Sequence, residues 1–147
     1  QTKVLQEKFC AEDVEFDDDS CDYIKSDLKK LFDSKITEKH EEIFGDALVE
    51  HEIHLMSVDM QEYGTFKCKV RPMIFDEARL YNEFIVDKEL PDWWWTCTPW
   101  STKERGWERS VAVVDPSGYV SYDICGGSFG VRPFCILKSN IFVSKED

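Results

Sequence analysis

Five tryptophans lie in one short segment of this chain, and they constrain its fold more than any other feature. Four of them fall between Pro91 and Trp100, and Trp107 follows. An indole side chain buries a large area but keeps one N–H that needs an acceptor, so rings at this density have to build part of a core. We predict that Trp94 and Trp95 are core residues. For Trp100 and Trp107, which lie among polar residues and glycine, burial and surface exposure are both open.

The length and composition predict a single folded domain spanning residues 1–147. Hydrophobic residues make up 42% of the chain and aromatic residues 14%, a content that suits a globular protein with a core of its own. The formal net charge of −12 opposes binding to nucleic acid or to an anionic membrane, because phosphate contacts need lysine and arginine. No apolar run approaches the roughly 18 residues of a membrane span and no signal peptide is visible. We therefore expect a cytoplasmic location.

The cysteine, histidine and glycine patterns give no sign of an active site. The six cysteines contain no C-x-x-C pair, so we predict reduced thiols rather than a zinc site or a disulfide framework. No histidine lies near a glycine-flanked serine or cysteine, and no phosphate-binding glycine loop is present. His51 and His54 fall on opposite faces of a predicted strand, which argues against a shared metal site. The sequence thus predicts a protein that is not an enzyme, with no catalytic residue, cofactor or metal ion.

A block of seven acidic residues without a base runs from Glu12 to Asp22. Like charges at this density are typical of a solvated loop. The spacing lacks the glycine and the final glutamate of an EF-hand, so calcium binding is not predicted. A basic protein is the alternative partner for this block, and Asp17, Asp18 and Asp19 at its centre are the candidate contact residues.

The order of predicted elements favours an α+β fold. One helix is predicted after a Ser26 cap and a second from a Thr37 cap through Phe44, where Gly45 breaks it. A third is predicted after an Asp76 cap, with Ala78, Tyr81 and Phe84 on its inner face. The remaining segments alternate as strands, and Asp115-Pro-Ser-Gly118 is a strong turn signal that predicts a hairpin. We expect two or three helices on a small, twisted, mostly antiparallel sheet, a loop-rich C-terminal half and an extended last segment from Val131 to Val143.

Several motifs together resemble a known family. They are Trp94-Trp-Thr-Cys-Thr-Pro99, Val114-Asp-Pro-Ser-Gly-Tyr-Val120 and Gly130-Val-Arg-Pro133, in this order. The sequence resembles a domain of unknown function of bacterial and prophage-encoded proteins. That family is similar to the C-type-lectin-like fold shared by formylglycine-generating-type enzymes and phage receptor-binding proteins. This chain departs from the family pattern at Cys97, where an arginine is usual, and at Phe134 and Cys135.

The resemblance implies a binding module encoded by a phage or prophage, located in the host cell or associated with a virion. The candidate contact residues are aromatic side chains in or beside loops, namely Trp100, Trp107, Tyr119 and Tyr122, and their partner would be a protein or a glycan. Arg132 is interpreted either as a structural residue stacked on a tryptophan or paired with a carboxylate such as Asp92, or as a ligand contact. Two alternatives are an acidic, anti-CRISPR-like inhibitor of a nucleic-acid-binding host defence complex and an enzyme on the formylglycine-generating scaffold.

Overall fold

Nine short strands form the sheets of this protein in the computed structural model, which describes residues 5–10 and 20–139. They are β1 (Gln6–Lys8), β2 (His51–Met56), β3 (Glu62–Cys68), β4 (Val70–Arg71), β5 (Trp94–Pro99), β6 (Ser110–Val114), β7 (Val120–Ile124), β8 (Ser128–Gly130) and β9 (Phe134–Cys135).

The helices precede the tryptophan segment. They are α1 (Asp27–Leu31), which continues through a π-helical segment (Phe32–Ile36) into α2 (Thr37–Phe44), and the short pair α3 (Phe75–Leu80) and α4 (Asn82–Ile85). Short 3₁₀ turns occupy Tyr23–Lys25, Gly45–Ala47 and Lys103–Arg105. Helices and sheets therefore occur together in an α+β architecture, as the sequence predicts.

The long helical stretch begins after Ser26 and ends at Gly45, and both residues suit those positions. The Ser26 hydroxyl accepts a hydrogen bond from the backbone N–H of Lys29 at 3.0 Å, so the predicted cap is confirmed. Gly45 ends the helix with a positive φ of 52°. Thr37, however, is not the N-cap of a separate helix, although α2 begins there. Its backbone is helical and its hydroxyl donates to the Phe32 carbonyl at 2.5 Å, within the π-helical turn that joins the two predicted helices into one.

The principal sheet has the strand order β1-β8-β5-β6-β7, with the tryptophan strand β5 at its centre. Its pairs are antiparallel except for β5 with β8, so the sheet is mixed and mostly antiparallel, as predicted. The predicted turn joins β6 to β7, because the Asp115 carboxylate accepts from the N–H groups of Ser117 and Tyr119 at 2.9 Å. Two further antiparallel pairs, β2 with β3 and β4 with β9, form separate sheets.

Strand alternation divides the core between the two faces of this sheet. Trp95 is fully buried in the larger cluster, which α1 and the π-helical segment cover. Trp94 points the other way and packs with Ala78, Ile85 and Val114 under α3 and α4. The prediction that both tryptophans are core residues is confirmed.

Two further local predictions are wrong. Ile74 rather than Asp76 precedes the first turn of α3, and the Glu77 carboxylate accepts from its backbone N–H at 3.0 Å. Tyr81 and Phe84 are not on an inner face: Tyr81 leaves the helical conformation at the end of α3, and the two residues are 41% and 78% exposed. In the predicted extended segment from Val131, residues 131–138 contain β9 and an antiparallel bridge between Leu137 and Leu48, and residues 140–143 lie outside the described residues.

Candidate functional site

Three of the predicted contact residues come together on one face of the protein. Trp100 follows β5, Trp107 lies in the loop before β6, and Tyr122 lies on the edge strand β7. The Tyr122 ring centroid is 4.8 Å from that of Trp100 and 5.0 Å from that of Trp107. Trp100 and Trp107 are half-buried and Tyr122 is 44% exposed. We call these three residues the aromatic cluster.

The aromatic cluster is assembled by the β6–β7 hairpin. Tyr122 pairs with Ala112, whose lack of a side chain beyond Cβ leaves room for large rings above the sheet. The backbone N–H of Trp100 donates to the Ser110 carbonyl at 2.8 Å, and that of Trp107 donates to the Thr102 carbonyl at 2.9 Å. These bonds fix the backbone at both tryptophans, and the ring contacts with Tyr122 set the positions of their indoles.

Tyr119 lies apart from the aromatic cluster. It is 65% exposed, and its ring meets the edge of Trp93 at a centroid distance of 6.3 Å. The neighbouring Gly118 contacts α4, because the Asn82 side chain donates to the Gly118 carbonyl at 2.8 Å. Tyr119 is thus near a second exposed apolar region, which includes Leu80, Phe84 and Val86.

Arg132 is engaged in the fold. Its guanidinium lies over the Trp94 ring at 4.9 Å from the centroid, and Nη1 donates to the Ile85 carbonyl at 2.7 Å. Burial lowers the pKa of this guanidinium, although Asp87 opposes the change. The predicted stacking on a tryptophan is confirmed. The predicted pairing with Asp92 is wrong, because that carboxylate accepts from the Gln6 side chain instead.

Of the seven acids from Glu12 to Asp22, the structure describes Asp22. Asp17, Asp18 and Asp19 lie outside the described residues. Asp22, the last acid of the block, is buried and accepts from the backbone N–H of Ile24 at 3.0 Å, so it caps a 3₁₀ turn rather than facing solvent. The acids that follow it are exposed, namely Glu38, Glu41, Glu42, Asp46, Glu50 and Glu52.

A buried ionic network lies between β4 and α3, and sequence analysis did not predict it. The side chain of Arg71 is 2% exposed and makes two parallel hydrogen bonds to the Glu77 carboxylate, at 2.7 and 2.8 Å. Its Nε–H donates to His51 Nε2 at 3.0 Å, and its guanidinium lies 4.7 Å from the centroid of the Phe134 ring. Burial alone would raise the pKa of Glu77, but hydrogen bonds from Arg71 and Ile74 hold it below its usual value.

This network does not form a cysteine–histidine pair for catalysis. Arg71 Nε–H can only donate, so His51 Nε2 accepts from it, and His51 Nδ1 lies 3.1 Å from the Val49 carbonyl oxygen, to which it donates. The nearby Cys68 Sγ is 3.7 Å from the same Nε2. Burial raises the pKa of Cys68 to about 11 and that of Cys97 to about 12, so both are protonated thiols at neutral pH.

A cavity of about 310 Å³ lies between β2 and α3. Its size is at the lower end of small-molecule sites. The charged groups in its wall are already paired: Arg79 donates to Asp76 at 2.9 Å, and His54 lies 2.9 Å from Glu62. His51 and His54 lie on opposite faces of β2, as predicted.

Asp59 connects the β2–β3 turn to the loop that carries the aromatic cluster. Its carboxylate accepts from the hydroxyls of Ser57 and Ser101, the latter at 2.5 Å, and from Arg105 Nη1 at 2.8 Å. Desolvation acts to raise the pKa of Asp59, but these hydrogen bonds outweigh it and lower the pKa below its ordinary value of 3.8.

We expect Asp59→Asn to reduce the free energy of unfolding by about 1 kcal/mol near neutral pH, because a charge-assisted contact at a partly exposed site is lost. The folded-state pKa is the lower one, so the ionised Asp59 stabilises the protein above pH 3.8 and loses this effect as the pH falls through the folded pKa. Urea denaturation of both proteins from about pH 6 to about pH 3 should show the difference shrinking. A difference that is the same at every pH, or that the exposed Asp46→Asn control reproduces, would contradict the prediction.

No protein-family model matches this chain. Comparison with curated proteins and with solved structures also finds no significant match. Within residues 5–10 and 20–139, no helix is long and apolar enough to cross a membrane. The same residues contain no group of three or more histidine, cysteine or acidic side chains placed to hold a metal ion.

Proposed function

We propose that this protein is a non-enzymatic binding module that contacts a protein partner through the aromatic cluster. The observation that carries the proposal is the packing of Trp100 and Trp107, from the β5–β6 connection, with Tyr122 of β7 into one partly exposed surface. Tryptophan and tyrosine are the residues most enriched among energetically dominant interface contacts. Ile124, on the same face of β7 and 52% exposed, extends the surface with an aliphatic side chain.

A protein is favoured over a glycan by the arrangement of the rings. A sugar stacks on an open aromatic face, whereas Tyr122 lies at 37° to Trp100 with a close centroid distance and covers part of its face. The cluster therefore presents a stepped surface of ring edges and faces, which suits side chains of a partner. A C-type-lectin-like arrangement of the α+β elements and a phage or prophage origin are parts of this proposal.

The proposal is tested by comparing variants in partner capture from a bacterial lysate, followed by affinity measurement with the purified partner. We expect Trp107→Ala and Tyr122→Ala each to weaken binding by about 30-fold, the scale of an interface residue that contributes about 2 kcal/mol. Phe84→Ala is the matched control, since Phe84 is an exposed ring outside the aromatic cluster. Thermal unfolding of each variant checks that the fold is retained.

Three other results would identify a different activity. Loss of binding in Phe84→Ala but not in Trp107→Ala would place the contact at α3 and α4. Binding on a glycan array that depends on Trp107 would identify a sugar ligand. Affinity that falls steeply with salt and ignores Trp107→Ala would favour the acidic inhibitor, with the exposed acids from Glu38 to Glu52 as the contact.

A further inference from the structure

Two cysteines far apart in sequence meet beside Ser20. The backbone N–H of Cys10, in the bend after β1, donates at 3.1 Å to the carbonyl of Cys125, in the turn between β7 and β8. Their sulfur atoms contact the same residue: Cys10 Sγ is 3.0 Å from the Ser20 carbonyl oxygen, and Cys125 Sγ is 3.4 Å from the Ser20 hydroxyl. The two side chains therefore converge on Ser20, and the backbone hydrogen bond between the two residues keeps their Cα atoms close, as a disulfide requires.

The surroundings make the two sulfurs chemically different. Interaction with Cys10, followed by interactions with Ser20 and Arg109, outweighs desolvation and lowers the pKa of Cys125 to about 6. Interaction with Cys125, burial and the negative charge of Asp27 raise the pKa of Cys10 well above its usual value. Cys125 therefore loses its proton more readily than Cys10, so it is the sulfur that reacts first with an oxidant, and Cys10 is the thiol that then forms the disulfide.

We propose that Cys10 and Cys125 form a reversible oxidation site that a peroxide converts to a disulfide. Peroxide is the class of oxidant that fits the site, because Cys125 is 1% exposed and Cys10 is 7% exposed. A reagent close to water in size can reach such sulfurs during small fluctuations, whereas a bulky disulfide reagent cannot. The site is separate from the aromatic cluster and does not depend on the proposed binding function.

The reaction proceeds in two balanced steps. The Cys125 thiolate attacks one oxygen of hydrogen peroxide, the O–O bond breaks, and sulfenic acid and hydroxide form. Cys10 then loses its proton, its sulfur attacks the Cys125 sulfur, and the S–O bond breaks to release hydroxide, which the proton converts to water. The hydroxide from the first step takes up the proton that Cys125 gave to solvent when it ionised, so the dithiol loses two hydrogens overall and hydrogen peroxide is reduced to two water molecules. A dithiol reductant reverses the change.

The disulfide would connect the segment after β1 to the turn between β7 and β8. A link between residues so far apart in sequence removes much of the freedom of the unfolded chain. We therefore expect the oxidised protein to have a Tm that is higher by about 5–15 °C than that of the reduced protein, within the range that loop closure of this length gives.

The experiment treats the reduced protein with hydrogen peroxide, stops the reaction in denaturant with or without dimedone, and maps the products by mass spectrometry of its peptides. The expected main product contains the Cys10–Cys125 link and has lost two hydrogens. Before denaturant is added it shows the raised Tm, and dithiothreitol in denaturant followed by refolding returns it to the starting state. In Cys10→Ser, oxidation should stop at a Cys125 sulfenic acid, which dimedone traps once the denaturant has exposed it. In Cys125→Ser, Cys10 should remain a thiol. Cys135→Ser, which changes a half-buried cysteine outside the pair, should behave like the wild type.

The wild type in denaturant is the control for selectivity and requires no variant to fold. There the Cys10–Cys125 link should give way to mixed products, because the fold no longer holds the sulfurs together. Oxidation of Cys135 while Cys125 stays reduced would overturn the proposal. The proposal would also be overturned if the yield of the Cys10–Cys125 link were the same in the folded protein and in denaturant. It would equally be overturned if the folded protein formed no linked product at peroxide concentrations that oxidise the unfolded protein.

Discussion

Arg71→Met is expected to reduce the free energy of unfolding by about 3–5 kcal/mol, one of the two largest effects of a single substitution that we predict here. The loss arises mainly from Glu77, whose side chain is 17% exposed and would keep its charge without the guanidinium that now binds both of its oxygens. His51 Nε2 would lose its donor as well. Chemical denaturation near neutral pH measures the difference.

The control is the exposed ion pair between Arg79 and Asp76 on α3, the helix that carries Glu77. Arg79 and Asp76 are 63% and 72% exposed, so Arg79→Met should cost no more than about 1 kcal/mol. The pH dependence gives a second check. The pKa of Glu77 is lowered in the folded protein, so the stabilisation by the pair is complete above the unfolded pKa and is lost as the pH falls through the folded one. The difference between wild type and Arg71→Met should therefore become smaller in acid. Equal costs for the two arginines would contradict our account.

Trp95→Ala is the second large effect, with an expected loss of about 3–5 kcal/mol. The indole is fully buried at the centre of the principal sheet, and its ring centroid lies 5.4 Å from that of Phe9 and 4.9 Å from that of Phe129. Its Nε1–H donates to the Glu7 carbonyl at 2.8 Å and so ties β1 to the sheet. Removal would leave a cavity among these rings and an acceptor in β1 without its donor.

Two comparisons separate the cavity from the hydrogen bond. Trp95→Phe keeps most of the ring volume but removes the N–H, so it should cost less than Trp95→Ala while still weakening β1. Trp107→Ala removes an indole that is half-buried and should be much milder. Hydrogen exchange of β1 should accelerate in both Trp95 variants and remain unchanged in Trp107→Ala. If the Trp95→Ala protein were as stable as the Trp107→Ala protein, β5 would not form the core of the principal sheet as we describe it.

Features encoded within a few residues were predictable from the sequence. The burial of Trp94 and Trp95, the Ser26 cap and the Asp115–Gly118 turn each rest on local chemistry that does not need the rest of the chain. Thr37 misled us because threonine favours a cap in isolation, whereas here its hydroxyl bonds to Phe32 inside a continuous helix.

Features that join distant segments were not predictable. Arg71 follows an ordinary strand-like stretch, and its contacts with Glu77, His51 and Phe134 come from different elements, so no local spacing indicates that it is buried. In the candidate site too, the individual residues were predictable but their grouping was not. The exposed aromatic residues could be named one by one, but only the β6–β7 pairing shows that Tyr122 joins Trp100 and Trp107 while Tyr119 does not.

The pairing of β1 with β8 sets the order in which the chain can fold. Gln6 faces Gly130, so the first strand of the principal sheet finds its neighbour only near the other end of the chain. Contacts of such large sequence separation raise the contact order and slow folding, because the entropy of closing the loop is lost before the contacts form. During synthesis, β1 emerges long before β8 and must wait for it. The sheet is therefore completed at a late stage, after β5, β6 and β7 have already assembled through contacts closer in sequence.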